Sequence, residues 1–439
     1  DPQVNAETRK LEQCGATIYT SQVAENLSKQ PIKLVVVTAA IHDDNPELIA
    51  AKQLGLSIVS RAEFLGQLMS TAKGPRIAIS GTHGKTTTTA MVTQVLMDSG
   101  LDPTSLIGGA YAPIGGNVRQ GGDVFVTEAC EAYDSFLSFT PDIVVITNCE
   151  ADHLDHFHDE TGVFEAFRKF IMGMSSAGTL IYNSDDIGIQ ELLKQIPVGF
   201  PATRIACGLN QNTGVRDTEL VATDIANHPD NSEYTVSLTK GGTPVLHDNI
   251  KVHAPGNHNV SNSLLAVAVG LTLGASTDGI KQGLWNFAGT GRRFELLGTV
   301  NGVPVIDDYA HHPSEIRATL SAIRLAYPDK RVVAVFQPHL YSRTRDFMEE
   351  FAISLSQADV AILTDIYPAR ELPIPGVKVA DIVRKIAEHS PKISVLYIPL
   401  KSDVQGALEF VIHANDVVLI MGAGDIRQVG EEYVLRGNK

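Results

Sequence analysis

At 439 residues the chain is too long for one hydrophobic core, and 44% apolar against 19% charged residues is the balance of a folded globular chain. A net charge of −15 excludes a broad nucleic-acid-binding face, which needs clustered Lys and Arg, but leaves room for small anions held by local dipoles. No apolar run approaches the ~20 residues of a membrane span, Asp1-Pro2-Gln3 opens no signal pattern, and four scattered cysteines without a CxxC pair fit a reducing cytoplasm.

Short Val/Ile-rich runs alternate with segments of helical spacing, which predicts doubly wound α/β layers. "KLVVVTAAI" (33–41) reads as the first buried parallel strand, and "STAKGP" (70–75) as a polar joint. "RIAIS" (76–80) is the next strand, followed by a glycine turn and a helix over 84–99. "VFVTEA" (124–129) and "DIVVITN" (142–148) read as further buried strands, with a helix over 160–173. Residues 215–255 look antiparallel, with turns at Asn227–Asn231 and Gly241-Gly242. A helical stretch at 259–273 leads to a second Gly-rich joint, "NFAGTGRRFE" (286–295). Beyond it, helices are expected at 313–327 and 343–357, and strands at 332–338, 360–366 and 416–424.

The turn after 76–80, Gly81-Thr82-His83-Gly84-Lys85-Thr86, has the parts of a mononucleotide loop. Glycines let backbone N–H groups approach phosphate oxygens, lysine neutralises the β/γ charge, a threonine hydroxyl binds Mg²⁺, and the helix N-terminus adds partial positive charge. The full P-loop pattern is incomplete, because Ile79 stands where its first glycine belongs. Two more strands end in metal-type ligands: Glu128 and Glu131 after one, and Asn148, Glu150, Asp152, His153, Asp155 and His156 after the other. Ligands of open α/β sheets bind at the C-terminal strand edge, so these groups are expected to face the loop.

In this order, "GTHGKTT", "EACEAYDSF", "TNCEADHLDHF", "GNHNVSN", "GRRFE" and "DDYAHHPSEI" resemble the Mur ligase family, the ATP-dependent amide-forming enzymes of peptidoglycan synthesis. The resemblance covers nearly the whole chain. It implies a three-domain α/β architecture. A Rossmann-like UDP-substrate domain would span 1–72, a central P-loop ATPase domain 73–288, and a C-terminal Rossmann-like amino-acid/substrate domain 289–439. The first domain is expected to be incomplete at its start, since Asp1–Lys10 runs straight into "LEQCGATIYTS" without the family's glycine-rich turn for uridine diphosphate.

By the same resemblance, ATP would lie on Gly81, Thr82, His83, Gly84, Lys85, Thr86 and Thr87, with His258, Asn259, Asn262, Arg293 and Asp308 around it. Lys85, Glu128 and His153 would be catalytic. Thr86 and Glu128 would hold one Mg²⁺ and Glu128 with His153 a second, Mn²⁺ being able to substitute. Tyr309, His311 and Arg343 would contact substrate. Leu340 stands in "PHLYSR" where relatives often carry arginine, so Arg343 and Arg345 are expected to take over the anionic contacts. The histidine-rich motif forms, with "FQPHLYSRTRDF", point to UDP-N-acetylmuramate and L-alanine as substrates. A cytoplasmic monomer or weak homodimer, with no nucleic-acid or membrane partner, is implied. A murein-tripeptide-recycling ligase or folylpolyglutamate synthetase would share this chemistry. A P-loop switch would leave the histidine-rich loops unexplained.

Overall fold

The computed structural model describes residues 6–29, 31–38, 41–150, 157, 159–201, 203–209, 218–240, 243–369 and 371–437. Three sheets succeed one another along the chain. The first pairs β1 (Leu34–Val37) with β2 (Ser57–Ser60) in parallel, joined by the Pro46–Gln53 helix. Asn45 caps that helix by accepting from the N–H groups of Glu47 and Leu48, with Pro46 at its first position. The strand expected over 33–41 is shorter and only half-buried, Val36 being 42% exposed. Among the described residues, the helices that mainly meet this two-stranded sheet are Pro46–Gln53 and Arg61–Ser70, and its strands stay partly exposed.

The second sheet has ten strands: β3 (Arg76–Ser80), β4 (Thr104–Tyr111), β5 (Gly116–Arg119), β6 (Phe125–Glu128), β7 (Ile143–Ile146), β8 (Thr179–Asn183), β9 (Thr203–Leu209), β10 (Thr218–Asn227), β11 (Ser232–Lys240) and β12 (Thr243–Val252). Their order is β12-β11-β10-β9-β8-β7-β3-β6-β4-β5. The centre, from β10 to β4, is parallel, while β11, β12 and β5 add antiparallel edges. Strand β7 is wholly apolar and buried, and β3 is buried from Ile77 onward, as strands covered on both faces must be. One face packs on the helices Lys85–Asp98, Asn257–Thr272 and Thr277–Trp285, and the other on Glu160–Met172 and Ile187–Lys194.

The third sheet comprises β13 (Glu295–Val300), β14 (Val303–Asp308), β15 (Arg331–Phe336), β16 (Val360–Leu363), β17 (Ser394–Tyr397) and β18 (Asp416–Met421). Its order is β13-β14-β18-β15-β16-β17, parallel except at the β13 edge. Cores lie on both of its faces. The single helix expected over 343–357 is two, Tyr341–Asp346 and Met348–Leu355. Phe347 leaves helical geometry between them, and its ring meets His312 edge-on at 4.7 Å.

Both larger sheets are stapled at strand starts by an arginine–aspartate fork. Arg76 at the head of β3 gives Nε and Nη2 to Asp142 at 2.8 and 2.7 Å, just before β7. Arg331 at the head of β15 does the same to Asp416 of β18, at 2.9 and 2.8 Å. The loops that carry the chemistry leave the opposite ends of these strands.

Candidate active site

Because β7, β3 and β6 are neighbours, the loops that leave their C-terminal ends meet. Gly81 (φ 135°) and Gly84 (φ 79°) take backbone angles closed to most L residues, which folds the loop tightly over β3. Asn148, past the end of β7, fixes the loop's crest: its Oδ1 accepts from His83 N at 2.7 Å, and its amide donates to His83 O at 3.1 Å. Thr82 Oγ1 accepts from Glu150 N at 2.9 Å. The Lys85–Asp98 helix starts directly on this loop, with Thr86 and Thr87 in its first turn.

Lys85 Nζ donates to the carbonyls of Gly81 and Thr82 and lies 2.9 Å from Glu131. Burial opposes its charge, but Glu131 and its neighbours outweigh that and raise its pKa, so the ammonium persists. Thr86 Oγ1 donates to Glu128 Oε2 at 2.8 Å. This hydroxyl–carboxylate pair is a hard oxygen set of the kind Mg²⁺ takes. Gly108 of β4 makes room for it, since a Cβ there would collide with the Glu128 carboxylate and come within 2.8 Å of Thr86 Oγ1. These residues therefore fit the expected ion. His153, with Asp152, Asp155 and His156, lies outside the described residues.

Asn262 also reaches the loop, its Oδ1 lying where a Cβ on Gly84 would come within 2.8 Å. Asn259 instead donates its amide to Pro255 O at 2.8 Å, and His258 is exposed on the helix's first turn, beside Gly256. The Gly-rich joint ties down to the central sheet, where Gly291 N donates to Ala110 O at 2.9 Å.

From the third sheet, the end of β14 and the start of the Pro313–Ala326 helix close over the loop. His312 caps that helix, and Glu315 completes a capping box. Glu315 is also a hub. Its Oε1 is 3.0 Å from His83 Nδ1 and 3.6 Å from Arg293 Nη1, and its Oε2 is 3.2 Å from His311 Nδ1. Burial would lift the Glu315 pKa, yet the facing His311, His83 and Arg293 hold it well below the usual range. Burial likewise disfavours charge on His83, but Glu315 and Glu150 overcome it and raise its pKa to about 9.

Asp308 is turned inward, accepting from Phe294 N and Ala310 N at 2.8 Å each, and burial pushes its pKa up to about 6 against the pull of Arg293. Tyr309 lies under both arginines, 4.8 Å from Arg292 and 5.1 Å from Arg293. The His311 ring meets that of His339 at 5.8 Å, and His339 Nδ1 is 3.4 Å from buried Arg343 Nη1. Arg345 instead pairs with Asp346 at the surface. A continuous row of side chains thus runs from the phosphate loop through His83, Glu315, His311 and His339 to Arg343. Spacing alone did not reveal Glu315 as its centre. The Pro-Ser-Glu pattern after His312 marks a helix start, but the partner His83 is 232 residues away.

Three family models match in succession: "Mur ligase family, catalytic domain" at 1–73, "Mur ligase middle domain" at 79–270, and "Mur ligase, glutamate ligase domain" at 292–424. A UDP-N-acetylmuramate–L-alanine ligase from Lachnospira eligens is 44% identical over 99% of this chain and 91% of its own. The chain belongs to the Mur ligase family. Among solved structures similar to this Mur ligase is UDP-N-acetylmuramate-alanine ligase from Thermotoga maritima, with TM-score 0.79 and 27% identity over 99% of this chain and 92% of that one. The MurF ligase of Thermotoga maritima in complex with ADP shares the fold at TM-score 0.63, with 17% identity over 92% and 93% of the two chains. No helix among the described residues is long and apolar enough to cross a membrane.

Proposed function

We propose that this Mur ligase joins L-alanine to the lactyl carboxylate of UDP-N-acetylmuramate, converting ATP to ADP and phosphate, as a step in peptidoglycan precursor synthesis. The observation that carries the reading is the side-chain row. It joins a nucleotide-type loop at one end to a buried arginine at the other, which suits a reaction between a γ-phosphate and an anionic acceptor.

Forming an amide from a carboxylate in water is uphill, so the carboxylate oxygen must first become a leaving group. Phosphoryl transfer from ATP does this, and the amine then displaces phosphate from the acyl phosphate. Lys85, kept cationic, would cover the β/γ-phosphates as they replace Glu131 beside it. The loop N–H groups and the helix N-terminus would hold the phosphate oxygens. Thr86 and Glu128 would hold Mg²⁺, with His153 joining Glu128 at a second ion. When bound, these ions neutralise charge on the transferring group, and Mn²⁺ serves in the same places.

Asn262, with His258 and Asn259 from the first turn of the same helix, would border the nucleotide, and Arg293 and Asp308 would reach it from the C-terminal side. Tyr309 and His311 would line the acceptor. Arg343 would meet a carboxylate, for which a guanidinium fork suits better than an ammonium. Residues 1–72 would take the UDP end, 73–288 the ATP and 289–439 the amino acid. The contact of His83 with Glu315 would keep water from the acyl phosphate. ADP release measured with each substrate omitted tests the reading. Turnover is expected only with UDP-N-acetylmuramate and L-alanine together, and undiminished turnover without either would overturn it. Turnover with murein tripeptide but not L-alanine would instead assign the recycling activity.

A further inference from the structure

Beside the phosphate loop, three donor atoms converge that the reaction above does not use. His83 Nε2 is 3.1 Å from His312 Nδ1 and 3.7 Å from Glu150 Oε2, and His312 Nδ1 is 4.0 Å from the same oxygen. All three lie within 4.8 Å of one another. Ligands held at about 2.0–2.2 Å around a tetrahedral ion stand roughly 3.3–3.6 Å apart, so shifts of a few tenths of an ångström would bring them onto one ion. Two imidazoles are borderline donors that, with one carboxylate beside them, favour Zn²⁺ over Mg²⁺.

The surroundings are those of a metal-bound histidine. His83 turns its other nitrogen, Nδ1, to Glu315 Oε1 at 3.0 Å, the outer carboxylate that fixes a ligating ring's tautomer and orientation. Two imidazole nitrogens 3.1 Å apart hold at most one proton between them. A dication would displace that proton to solvent and take both lone pairs, its charge balancing Glu150 and Glu315. The Phe347 ring packs edge-on against His312, which is buried. Ser314 Oγ, 2.7 Å from His312 Nδ1, would release that nitrogen to the ion, while Glu315 keeps its own half of the capping box, accepting from His312 N at 3.2 Å.

We propose that His83, Glu150 and His312 form a Zn²⁺-class site, distinct from the Thr86–Glu128 pair, that ties the C-terminal segment to the phosphate loop. The ligands come from the turn after β3, the loop after β7 and the cap of the Pro313–Ala326 helix, so an ion bound by all three fastens two sheets in the closed arrangement. Binding stands independently of the ligase reading. Its consequence, that Zn²⁺ arrests turnover by preventing reopening, rests on that reading.

Co²⁺, a coloured substitute for Zn²⁺, is titrated into the full chain in saturating Mg²⁺. One equivalent is expected to give the visible absorption of a tetrahedral ion, displaced by Zn²⁺. His312→Ala and Glu150→Gln are each expected to weaken Co²⁺ at least tenfold, with circular dichroism reporting that the fold is kept. Displacement of the signal by Mg²⁺, or unchanged affinity in both variants, would overturn the site. Separately, Zn²⁺ should slow ADP release in the wild type, reversibly with chelator, and much less in Glu150→Gln. Tetrahedral binding with unslowed turnover would retain the site and remove the arrest. Substrate-independent ADP release in metal-free buffer would count against the ligase reading alone.

Discussion

Lys85 and Glu131 set the terms at the scale of single residues. Replacing Lys85 by alanine should lower product formation about a hundred- to a thousandfold, because the β/γ charge loses its cation. The change should also weaken the fold, since buried Glu131 would lose its ammonium partner, at a cost of about 3 kcal/mol. Adding Glu131→Gln should return most of the stability and none of the activity, as denaturant melts and ADP release would report; a single variant as stable as the wild type would refute the coupling. Arg343→Lys should raise the Michaelis constant for the acceptor about tenfold and leave ATP affinity unchanged. Nearby Leu340 holds φ 70°, a strained angle for a branched residue, so Leu340→Gly should gain about 1 kcal/mol in thermal melts. The placement of Lys85 and Thr86 at a helix start after a buried strand was legible, because an apolar run, a glycine turn and helical spacing follow one another. The roles of Glu131 and Glu315 were not, because a carboxylate's partner depends on which strands become neighbours.

At the scale of elements, the forks at strand heads predict a pH dependence. Burial alone would raise the Asp416 pKa, but Arg331 and the His413 N–H overcome it and hold it below the ordinary value. A lowered carboxylate contributes its full stability above the unfolded value of about 3.9 and loses it as pH falls through the folded one. Asp416→Asn should therefore cost about 2–3 kcal/mol at pH 7, reduced from a fully buried pair by Arg331's partial exposure, with the difference shrinking below pH 4. Urea melts at pH 7 and pH 3.5 check this, and an equal difference at both would sink it. The buried central strands were readable because both faces are covered and their apolar runs are unbroken. Strands β2, β5 and β17 are short and partly exposed, and left no comparable run.

For the whole molecule, Glu315 is a side chain that groups from both larger sheets share. Glu315→Gln would remove the charge that His83, His311 and Arg293 face together. The radius of gyration from small-angle scattering should then rise in the variant, and ATP with substrate should restore it only in part. Identical scattering profiles would show that the closed arrangement does not depend on this carboxylate. Such a contact has no periodicity in the sequence. It exists only once two separately patterned sheets have folded and met.

The placement of the arginine–aspartate forks bears on how such a chain diversifies. Each fork grips the head of its strands, while the reactive loops leave the other end, a separation of about 16 Å for a five-residue strand such as β3. Mutations that far apart, with no partner in common, add nearly independently. Loop changes that alter the acceptor would therefore draw little on the reserve of stability held at the strand heads. A lineage of such enzymes is free to explore new amines and new sugar-linked acids while inheriting the same two clasps.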